Sequence, residues 1–166
     1  MLEKKLLIIA AGGHGKVVKE IAEAQGYTKI AFLDDASEEA IGKISDSQNF
    51  VSDYHEAFVG IGNNKFRGEL LQRLEQEGFI IPVLVHPAAY ISPSATIGKG
   101  TVVEPMAIVN ANSKIGCGCI ISVGSIVDHD VVLEECVHVN AGAICKAGSF
   151  VERETKLEAG QVVEGY

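Results

Sequence analysis

The second half of the chain carries an aliphatic residue at every sixth position, with one exception that is a cysteine. These positions are Val85, Ile91, Ile97, Val103, Val109, Ile115, Ile121, Val127, Leu133, Val139, Cys145, Val151, Leu157 and Val163. A period of six fits neither the 3.6 of an α-helix nor the 2 of a lone strand, but it fits a coil of three short strands, each with one inward aliphatic side chain. The residue two places earlier is usually small, as in Ala89, Ala95, Thr101, Ala107, Ser113, Cys119, Ser125, Ala143 and Ser149. We predict an all-β parallel solenoid over residues 85–166, with eighteen residues per coil and no insertion.

The first 84 residues follow a different pattern, in which short apolar runs alternate with helical periodicity. This pattern predicts strands over residues 5–10, 29–33, 57–61 and 80–85, helices from Val17 and over residues 65–77, and a polar loop over residues 36–54. Strands that alternate with helices favour a small parallel sheet of Rossmann type, whose ligands lie beyond the carboxyl ends of the strands. We therefore predict an α/β Rossmann-like domain over residues 1–84, followed by the solenoid.

Charge and composition narrow the classes of partner. The net charge of −8 argues against a nucleic acid, which needs clustered Lys and Arg. No apolar run approaches the ~20 residues of a membrane span, and the N-terminal apolar stretch is too short for a signal peptide, so we expect a cytoplasmic protein. The four cysteines lack the paired spacing of a zinc site, and two of them occupy inward solenoid positions. We predict neither a disulfide nor a bound metal.

Two histidines are the strongest candidates for chemistry in the solenoid. His129 lies between two acids, Asp128 and Asp130, and His138 follows nine residues later. A carboxylate beside a histidine fixes the tautomer of the ring and raises its basicity, which suits a general base near neutral pH. The alternatives are that His129 decorates a polar turn and that His138 fills a surface or packing position. Nine residues are half a coil, so the two histidines can share a site only across a subunit interface, which requires a closed ring, most simply a homotrimer.

The glycine segment after the first strand is the candidate site of the N-terminal domain. Gly13 and Gly15 supply two of the three glycines of a dinucleotide fingerprint, and Asp34 follows about twenty residues on, where an acid reaches a ribose hydroxyl. Glycines let the backbone approach a diphosphate, and the following helix offers free N–H groups. A plain structural turn is the alternative. His14 and Lys16 favour the binding of an anion.

The motifs together resemble a known family. They are Ala11-Gly12-Gly13-His14-Gly15-Lys16, Phe32-Leu33-Asp34-Asp35, Gly60-Ile61-Gly62-Asn63, Val85-His86-Pro87 before Ser92-Pro93-Ser94-Ala95, and Val127-Asp128-His129-Asp130 with His138 nine residues on. Over nearly the whole chain they resemble the sialic acid O-acetyltransferase and UDP-amino-sugar N-acetyltransferase family. In that family a Rossmann-like domain holds the nucleotide sugar, and a left-handed parallel β-helix uses acetyl-CoA. The resemblance implies the same two domains here, over residues 1–84 and 85–166.

The resemblance also implies roles for individual residues. His129 would be the catalytic base, Asp130 its supporting acid, and His138 a neighbour of the thioester and its pantetheine arm. The coenzyme A site would further include Ala141, Gly142 and Lys146. The sugar-nucleotide site would comprise Gly12, Gly13, His14, Gly15, Lys16, Asp34, Asp35 and Asn63. Two departures bear on the donor: Ser122 stands where members often carry Asn, and the chain reaches Tyr166 with fewer regular coils than many members have. Coenzyme A is then bound weakly, bound differently, or replaced by another acyl donor.

The predicted function is an acetyl-CoA-dependent acetyltransferase that acts on an amine or hydroxyl of a sugar in cell-surface glycan synthesis. The sugar is nucleotide-linked or resembles sialic acid, and no covalent intermediate is needed because His129 serves as general base. Two alternatives remain. An NAD-binding oxidoreductase would use the glycine segment, although the third glycine of its fingerprint is missing. A catalytically impaired sugar-nucleotide-binding or scaffold subunit would account for Ser122 and the shortened solenoid.

Overall fold

The computed structural model describes residues 3–166. The chain forms two compact units that divide between Leu84 and Val85. Neither of the two α-helices in this part of the chain is long and apolar enough to cross a membrane.

The N-terminal unit is a four-stranded parallel sheet with two α-helices. Its elements are β1 (Lys5–Ile9), α1 (Gly13–Ala24), β2 (Lys29–Leu33), β3 (Ala40–Gly42), a 3-10 helix (Ile44–Phe50), β4 (Ala57–Val59) and α2 (Asn64–Gln76). The strand order is β3-β2-β1-β4, and the pairs are parallel. Helix α1 buries Val18, Ile21 and Ala22, the apolar residues at helical spacing. The predicted Rossmann-like fold is confirmed.

The loop predicted over residues 36–54 is wrong, because this segment contains β3 and the 3-10 helix. Strand β3 is an edge strand of three residues, and its pairing with β2 shifts register between Phe32 and Leu33. The 3-10 helix begins after Lys43, whose backbone N–H donates to the Asp46 carboxylate at 3.1 Å. Both elements are too short to show a hydrophobic period, and their polar composition is typical of a loop.

The fourth strand predicted over residues 80–85 is also wrong. Ile80 forms an isolated parallel bridge with Glu56, and Leu84–Val85 forms β5, whose partner strand is in the solenoid. The bounds of four other elements shift as well: β1 ends at Ile9, and α2 spans Asn64–Gln76. Strand β4 ends at Val59, and α1 begins at Gly13, so the glycine segment forms the first turn of the helix instead of a separate turn before it.

The C-terminal unit is a solenoid of two-residue strands. After β5 (Leu84–Val85) these are β6 (Tyr90–Ile91), β7 (Thr96–Ile97), β8 (Val102–Val103), β9 (Ile108–Val109), β10 (Lys114–Ile115), β11 (Ile120–Ile121), β12 (Ile126–Val127), β13 (Val132–Leu133), β14 (His138–Val139), β15 (Ile144–Cys145), β16 (Phe150–Val151) and β17 (Val162–Val163). They form three parallel sheets: the first is β5-β8-β11-β14, the second β6-β9-β12-β15-β17 and the third β7-β10-β13-β16. Ile126 pairs with Ile108 and with Ile144, eighteen residues away on each side.

The six-residue period defines the solenoid core. Each of the fourteen residues on the period, apart from Leu157, is the second residue of its strand, and all of them belong to one hydrophobic cluster. Buried hydroxyls two places earlier are satisfied by the turns: Thr101 Oγ1 donates to the Gly116 carbonyl at 2.9 Å. Likewise Ser113 Oγ donates to the Asp128 carbonyl at 2.6 Å. The predicted hexapeptide solenoid, a left-handed parallel β-helix, is confirmed.

Candidate functional site

His129 and Asp130 form a hydrogen-bonded pair on a turn of the solenoid, between β12 and β13. His129 Nδ1 lies 2.7 Å from Asp130 Oδ2, and the His129 side chain is 45% exposed. Because Asp130 is ionised at neutral pH, Nδ1 carries the hydrogen and donates it, which leaves Nε2 as the nitrogen of the ring that can accept a proton. The hydrogen bond to Asp130, followed by the charges of Asp128 and Asp130, raises the pKa of His129 above its ordinary value. The same hydrogen bond lowers the pKa of Asp130.

Asp128, the other acid beside His129, holds the backbone of the turn instead of the imidazole ring. Its Oδ1 accepts from the His129 N–H at 2.7 Å and from Asn110 Nδ2, in the preceding coil, at 3.1 Å. These bonds lower the pKa of Asp128, and the bond from the His129 N–H has the larger effect. At the turn positions equivalent to His129 in the adjacent coils stand Ala111 and Ala147. Their small side chains leave the imidazole exposed.

His138 lies on a different side of the solenoid from His129. It is the first residue of β14 in the first sheet, whereas the His129 turn joins the second sheet to the third. A corner between two sheets of a three-sided prism faces away from the remaining sheet, so one chain does not bring the two histidines together. His138 Nε2 instead lies 3.0 Å from Ser122 Oγ, in the turn after β11. The residue that departs from the family pattern therefore contacts His138.

Three other residues expected near coenzyme A follow His138 along the chain. The Ala141 N–H is bonded to Asn140 Oδ1 at 2.8 Å, and Gly142 adopts a left-handed conformation with φ of 65°. A Cβ at Gly142 would meet nothing within 4 Å, so this corner presents bare backbone. Lys146 Nζ pairs with Glu164 at 2.7 Å on the exposed surface. An exposed pair of this kind contributes little stability and can open to a ligand.

The glycine segment lies at the carboxyl end of β1 and forms the start of α1. The N-cap residue Gly12 has no side-chain cap, and the first N–H groups of a helix lack intrahelical partners, which suits an anion. A Cβ at Gly12 or Gly13 would meet nothing within 4 Å. A Cβ at Gly15 would collide with the Ala10 carbonyl oxygen, and one at Gly60 would come within 2.7 Å of the Gly15 Cα. Close packing therefore requires a glycine at positions 15 and 60, whereas Gly12 and Gly13 lie in open space.

The polar residues expected around the sugar nucleotide are bonded within the protein. Both oxygens of Asp34 accept backbone N–H groups, among them that of Ala11 at 2.9 Å, and these bonds lower its pKa. Asp35 Oδ1 accepts from the Ile44 N–H at 3.0 Å. Asn63 caps α2 through the Phe66 N–H at 2.9 Å, and Lys16 Nζ pairs with Glu39 at 3.0 Å. His14 lies in the first turn of α1 and is partly exposed. These residues lie near the carboxyl ends of β1, β2 and β4, the edge at which this fold binds ligands.

Arg67 is a structural residue of this edge that the sequence patterns did not identify. Its side chain is 1% exposed, and Nη1 donates to the carbonyls of Ile61 and Gly62 at 3.0 and 3.2 Å. It also donates to Asn64 Oδ1 at 2.7 Å. The guanidinium therefore fixes the loop between β4 and α2. Its position three residues before Leu70, on the apolar stripe of α2, is the signal that could have indicated a buried role.

The four cysteines lie in the solenoid, and three of them are buried. All four are free thiols, and burial raises the pKa of Cys145 to about 11, so its thiolate is scarce at neutral pH. Cys119 and Cys145 point into the solenoid core. Within residues 3–166, no group of three or more His, Cys, Asp or Glu side chains is arranged to hold a metal ion.

A Rossmann-like domain joined to a hexapeptide β-helix with a His–Asp pair on one corner defines a protein of the left-handed β-helix acyltransferase class. The family model described as PglD N-terminal domain matches residues 5–74. The acetyltransferase domain of PglB from Neisseria gonorrhoeae FA1090, solved with acetyl coenzyme A, is 36% identical with a TM-score of 0.94, covering 98% of this chain and 83% of that chain. A histidine-to-alanine mutant of GDP-perosamine N-acetyl transferase from Caulobacter crescentus, solved with CoA and GDP-perosamine, is 29% identical with a TM-score of 0.86, covering 97% and 89%.

A sequence relative agrees with these structures. UDP-N-acetylbacillosamine N-acetyltransferase from Bacillus subtilis (strain 168) is 34% identical over 113 residues, which are 60% of this chain and 51% of that protein. The chain thus spans about half the length of this relative. It belongs to the UDP-amino-sugar N-acetyltransferase family.

Proposed function

We propose that the chain transfers an acetyl group from acetyl-CoA to the amino group of a nucleotide-linked sugar. The observation that carries the proposal is the hydrogen-bonded pair of His129 and Asp130, whose geometry leaves Nε2 available on an exposed turn of the β-helix. The amine is favoured over a hydroxyl because relatives of this chain are N-acetyltransferases by name. Transfer to a hydroxyl of a sialic-acid-like sugar is the second candidate.

The proposed reaction moves one proton through His129. The sugar amine attacks the thioester carbonyl carbon while Nε2 accepts a proton from the nitrogen, and Asp130 stabilises the resulting imidazolium through Nδ1. The tetrahedral adduct then expels the thiolate of coenzyme A, which takes the proton back from Nε2. The products are the N-acetylated sugar and the free thiol. Because proton transfer suffices, the step needs neither a covalent acyl-enzyme nor a metal.

In the proposed site, acetyl-CoA binds to a neighbouring subunit, on the side of its solenoid that carries His138. His138, which Ser122 holds at 3.0 Å, would lie beside the thioester. Ala141, Gly142 and Lys146 would line the path of the pantetheine arm, where the exposed backbone of Gly142 admits close approach. Since one chain keeps His129 and His138 apart, this site requires a ring of subunits.

An apolar ladder on the second sheet supports a homotrimer. Its members are the outward-facing first residues of the five strands, Tyr90, Ile108, Ile126, Ile144 and Val162. Tyr90 is 55% exposed and Val162 is 45% exposed in a single chain. A continuous exposed apolar surface favours burial against another protein surface. The negative net charge argues against a nucleic acid as the occupant of this surface. The cytoplasm is the compartment that we expect, because all four cysteines are free thiols.

The nucleotide sugar would bind where the open glycines begin α1. Replacing Gly13 with Val is expected to weaken the binding of a UDP- or GDP-linked amino sugar by about tenfold or more, because the new side chain fills the space through which a diphosphate reaches the helix N-terminus. The fold should survive, since a Cβ at Gly13 meets no protein atom within 4 Å. Calorimetric titration measures the affinity, and thermal unfolding monitors the fold.

Gly15→Ala is the matched comparison, because its Cβ collides with the Ala10 carbonyl oxygen. This variant should lose about 1–3 kcal/mol of stability through overpacking. If a folded Gly13→Val protein kept full affinity for the sugar nucleotide, the diphosphate would bind elsewhere.

Ligand binding and acetyl transfer measured together distinguish the proposed function from its alternatives. We expect calorimetry to detect acetyl-CoA and a nucleotide-linked amino sugar but not NAD, and thiol release to be faster with the amino-sugar nucleotide than with sialic acid. Binding of the sugar nucleotide without acetyl-CoA would instead identify a scaffold subunit. Binding of NAD would identify an oxidoreductase, and release of thiol only with sialic acid would identify O-acetylation.

A further inference from the structure

Tyr166 lies against the pair of His129 and Asp130, although thirty-six residues separate it from Asp130. Two coils of eighteen residues account for this separation, so positions 130, 148 and 166 stand in one column of turn residues. The ring centroids of Tyr166 and His129 are 6.4 Å apart and tilted by 56°. The Tyr166 hydroxyl lies 3.5 Å from Asp130 Oδ2, the oxygen that also contacts His129 Nδ1.

Two glycines create the space for this contact. Gly148 stands between Asp130 and Tyr166 in the column, and a Cβ on it would overlap the Tyr166 ring. A Cβ on Gly165 would likewise overlap the Ala147 carbonyl oxygen, which accepts the Tyr166 N–H at 3.3 Å. The Tyr166 ring therefore lies over the backbone of Gly148 and reaches the turn of His129. Its side remains open to solvent, since Tyr166 is 86% exposed.

We propose that Tyr166 is a positioning residue of the site: its hydroxyl braces Asp130 behind His129, and its exposed ring forms a wall against which the acceptor sugar lies. This inference rests on the proposed acetyl transfer. A hydroxyl that donates to Asp130 Oδ2 shares that oxygen with the Nδ1–H of His129 and limits the basicity of the imidazole. An exposed aromatic face offers a sugar ring a large, rigid apolar contact.

The charged groups around His129 define what the hydroxyl acts on. Asp128 and Asp130 flank the ring on its own turn, and the ion pair of Lys146 and Glu164 occupies the coils that follow. Asp128 accepts a hydrogen bond from the backbone of the turn, and the carboxylate of Glu164 is paired with Lys146. Asp130 is thus the carboxylate through which Tyr166 reaches His129.

The test separates the hydroxyl from the ring. Tyr166→Phe should raise the pKa of His129, read from the NMR titration of its ring, because Asp130 Oδ2 then loses a donor that competes with the Nδ1–H of the imidazole. The acidic limb of kcat/KM should move to higher pH by the same amount, while the KM of the acceptor stays within about twofold. Tyr166→Ala should also raise the acceptor KM by about tenfold with a smaller change in kcat, as loss of one aromatic contact implies.

A pair of glycine variants controls for backbone strain. Gly148→Ala displaces the Tyr166 ring and should reproduce the effects of Tyr166→Ala. Gly124→Ala introduces a side chain at a corner with a similar positive φ but with nothing within 4 Å, and should leave the acceptor KM and the His129 titration unchanged. If Tyr166→Ala left both readouts unchanged, the inference would be overturned. The NMR titration needs no turnover, so a wild-type protein without acetyl transfer would refute the proposed function while this readout still decided whether Tyr166 acts on His129.

Discussion

Replacing His129 with alanine is expected to lower the turnover of acetyl transfer by about 100- to 10,000-fold, the usual contribution of a general base. The variant loses Nε2, the nitrogen that the Nδ1 bond to Asp130 leaves available for the amine. The Michaelis constants and the mass of the assembly should change little, because the side chain is partly exposed and takes no part in the solenoid core. Thiol release with an amino-sugar nucleotide measures the effect.

The pH dependence gives this prediction a control. Asp130 raises the pKa of His129, and the base must be deprotonated, so kcat/KM of the wild type should fall on acidification with a midpoint above the ordinary histidine value of about 6.5. Asp130→Asn removes the carboxylate, lowers the pKa of His129 and should move that midpoint to lower pH, with a smaller loss of turnover than His129→Ala. A loss of no more than about twofold in His129→Ala would show that the proton leaves by another route.

Replacing Ile126 with glutamate is expected to dissociate the assembly and abolish acetyl transfer. Ile126 occupies the middle of the apolar ladder, with Ile108 and Ile144 as its neighbours in register. A carboxylate there would lose its hydration in the interface without a partner, which typically costs several kcal/mol. Light scattering should report a change from a trimer to a monomer of 17.6 kDa. Activity should fall with the mass, because the proposed site combines His129 of one subunit with His138 of another.

Lys114→Glu is the matched control for this prediction. Lys114 is also the outward residue of a central strand, β10, but it lies on the third sheet and is exposed. Introduction of the same charge there should leave the mass and activity unchanged. A wild-type protein that scattered as a monomer at micromolar concentration would contradict the shared site altogether.

The solenoid was predictable because one sequence period determines both its core and its hydrogen bonding. Each coil pairs with the next through residues eighteen positions away, so the inward residues follow from counting. The short elements of the N-terminal domain were not predictable in this way. Strand β3 forms by pairing with the edge of β2. Residues 80–85 are apolar enough to suggest a strand of the N-terminal sheet, but Leu84–Val85 pairs with β8 of the solenoid. In both places, pairing with a distant segment decides whether a strand forms and in which sheet. The local sequence does not show that pairing.

The candidate site shows the same division. The cluster of His129 and two acids was visible in the sequence, and the family resemblance selected Asp130 as the supporting acid. The residue pattern by itself does not distinguish Asp130, which contacts the ring, from Asp128, which holds the backbone. The bond between Ser122 and His138 spans sixteen residues and depends on the width of the coil. The contact of Tyr166 with Asp130 depends on two coils and on the absence of a side chain at Gly148.

The backbone at Asp130 has a consequence for how this protein can change. Asp130 adopts φ of 58°, and the equivalent corners one coil before and after are Asn112, with φ of 59°, and Gly148, with φ of 71°. A left-handed conformation costs an L-residue roughly 1–2 kcal/mol, somewhat less for Asp and Asn, and costs glycine little. The substitution that would most relax this corner, Asp130→Gly, is therefore also the one that removes the hydrogen-bond partner of His129. If His129 acts as the proposed base, selection for thermostability at this position would lower activity.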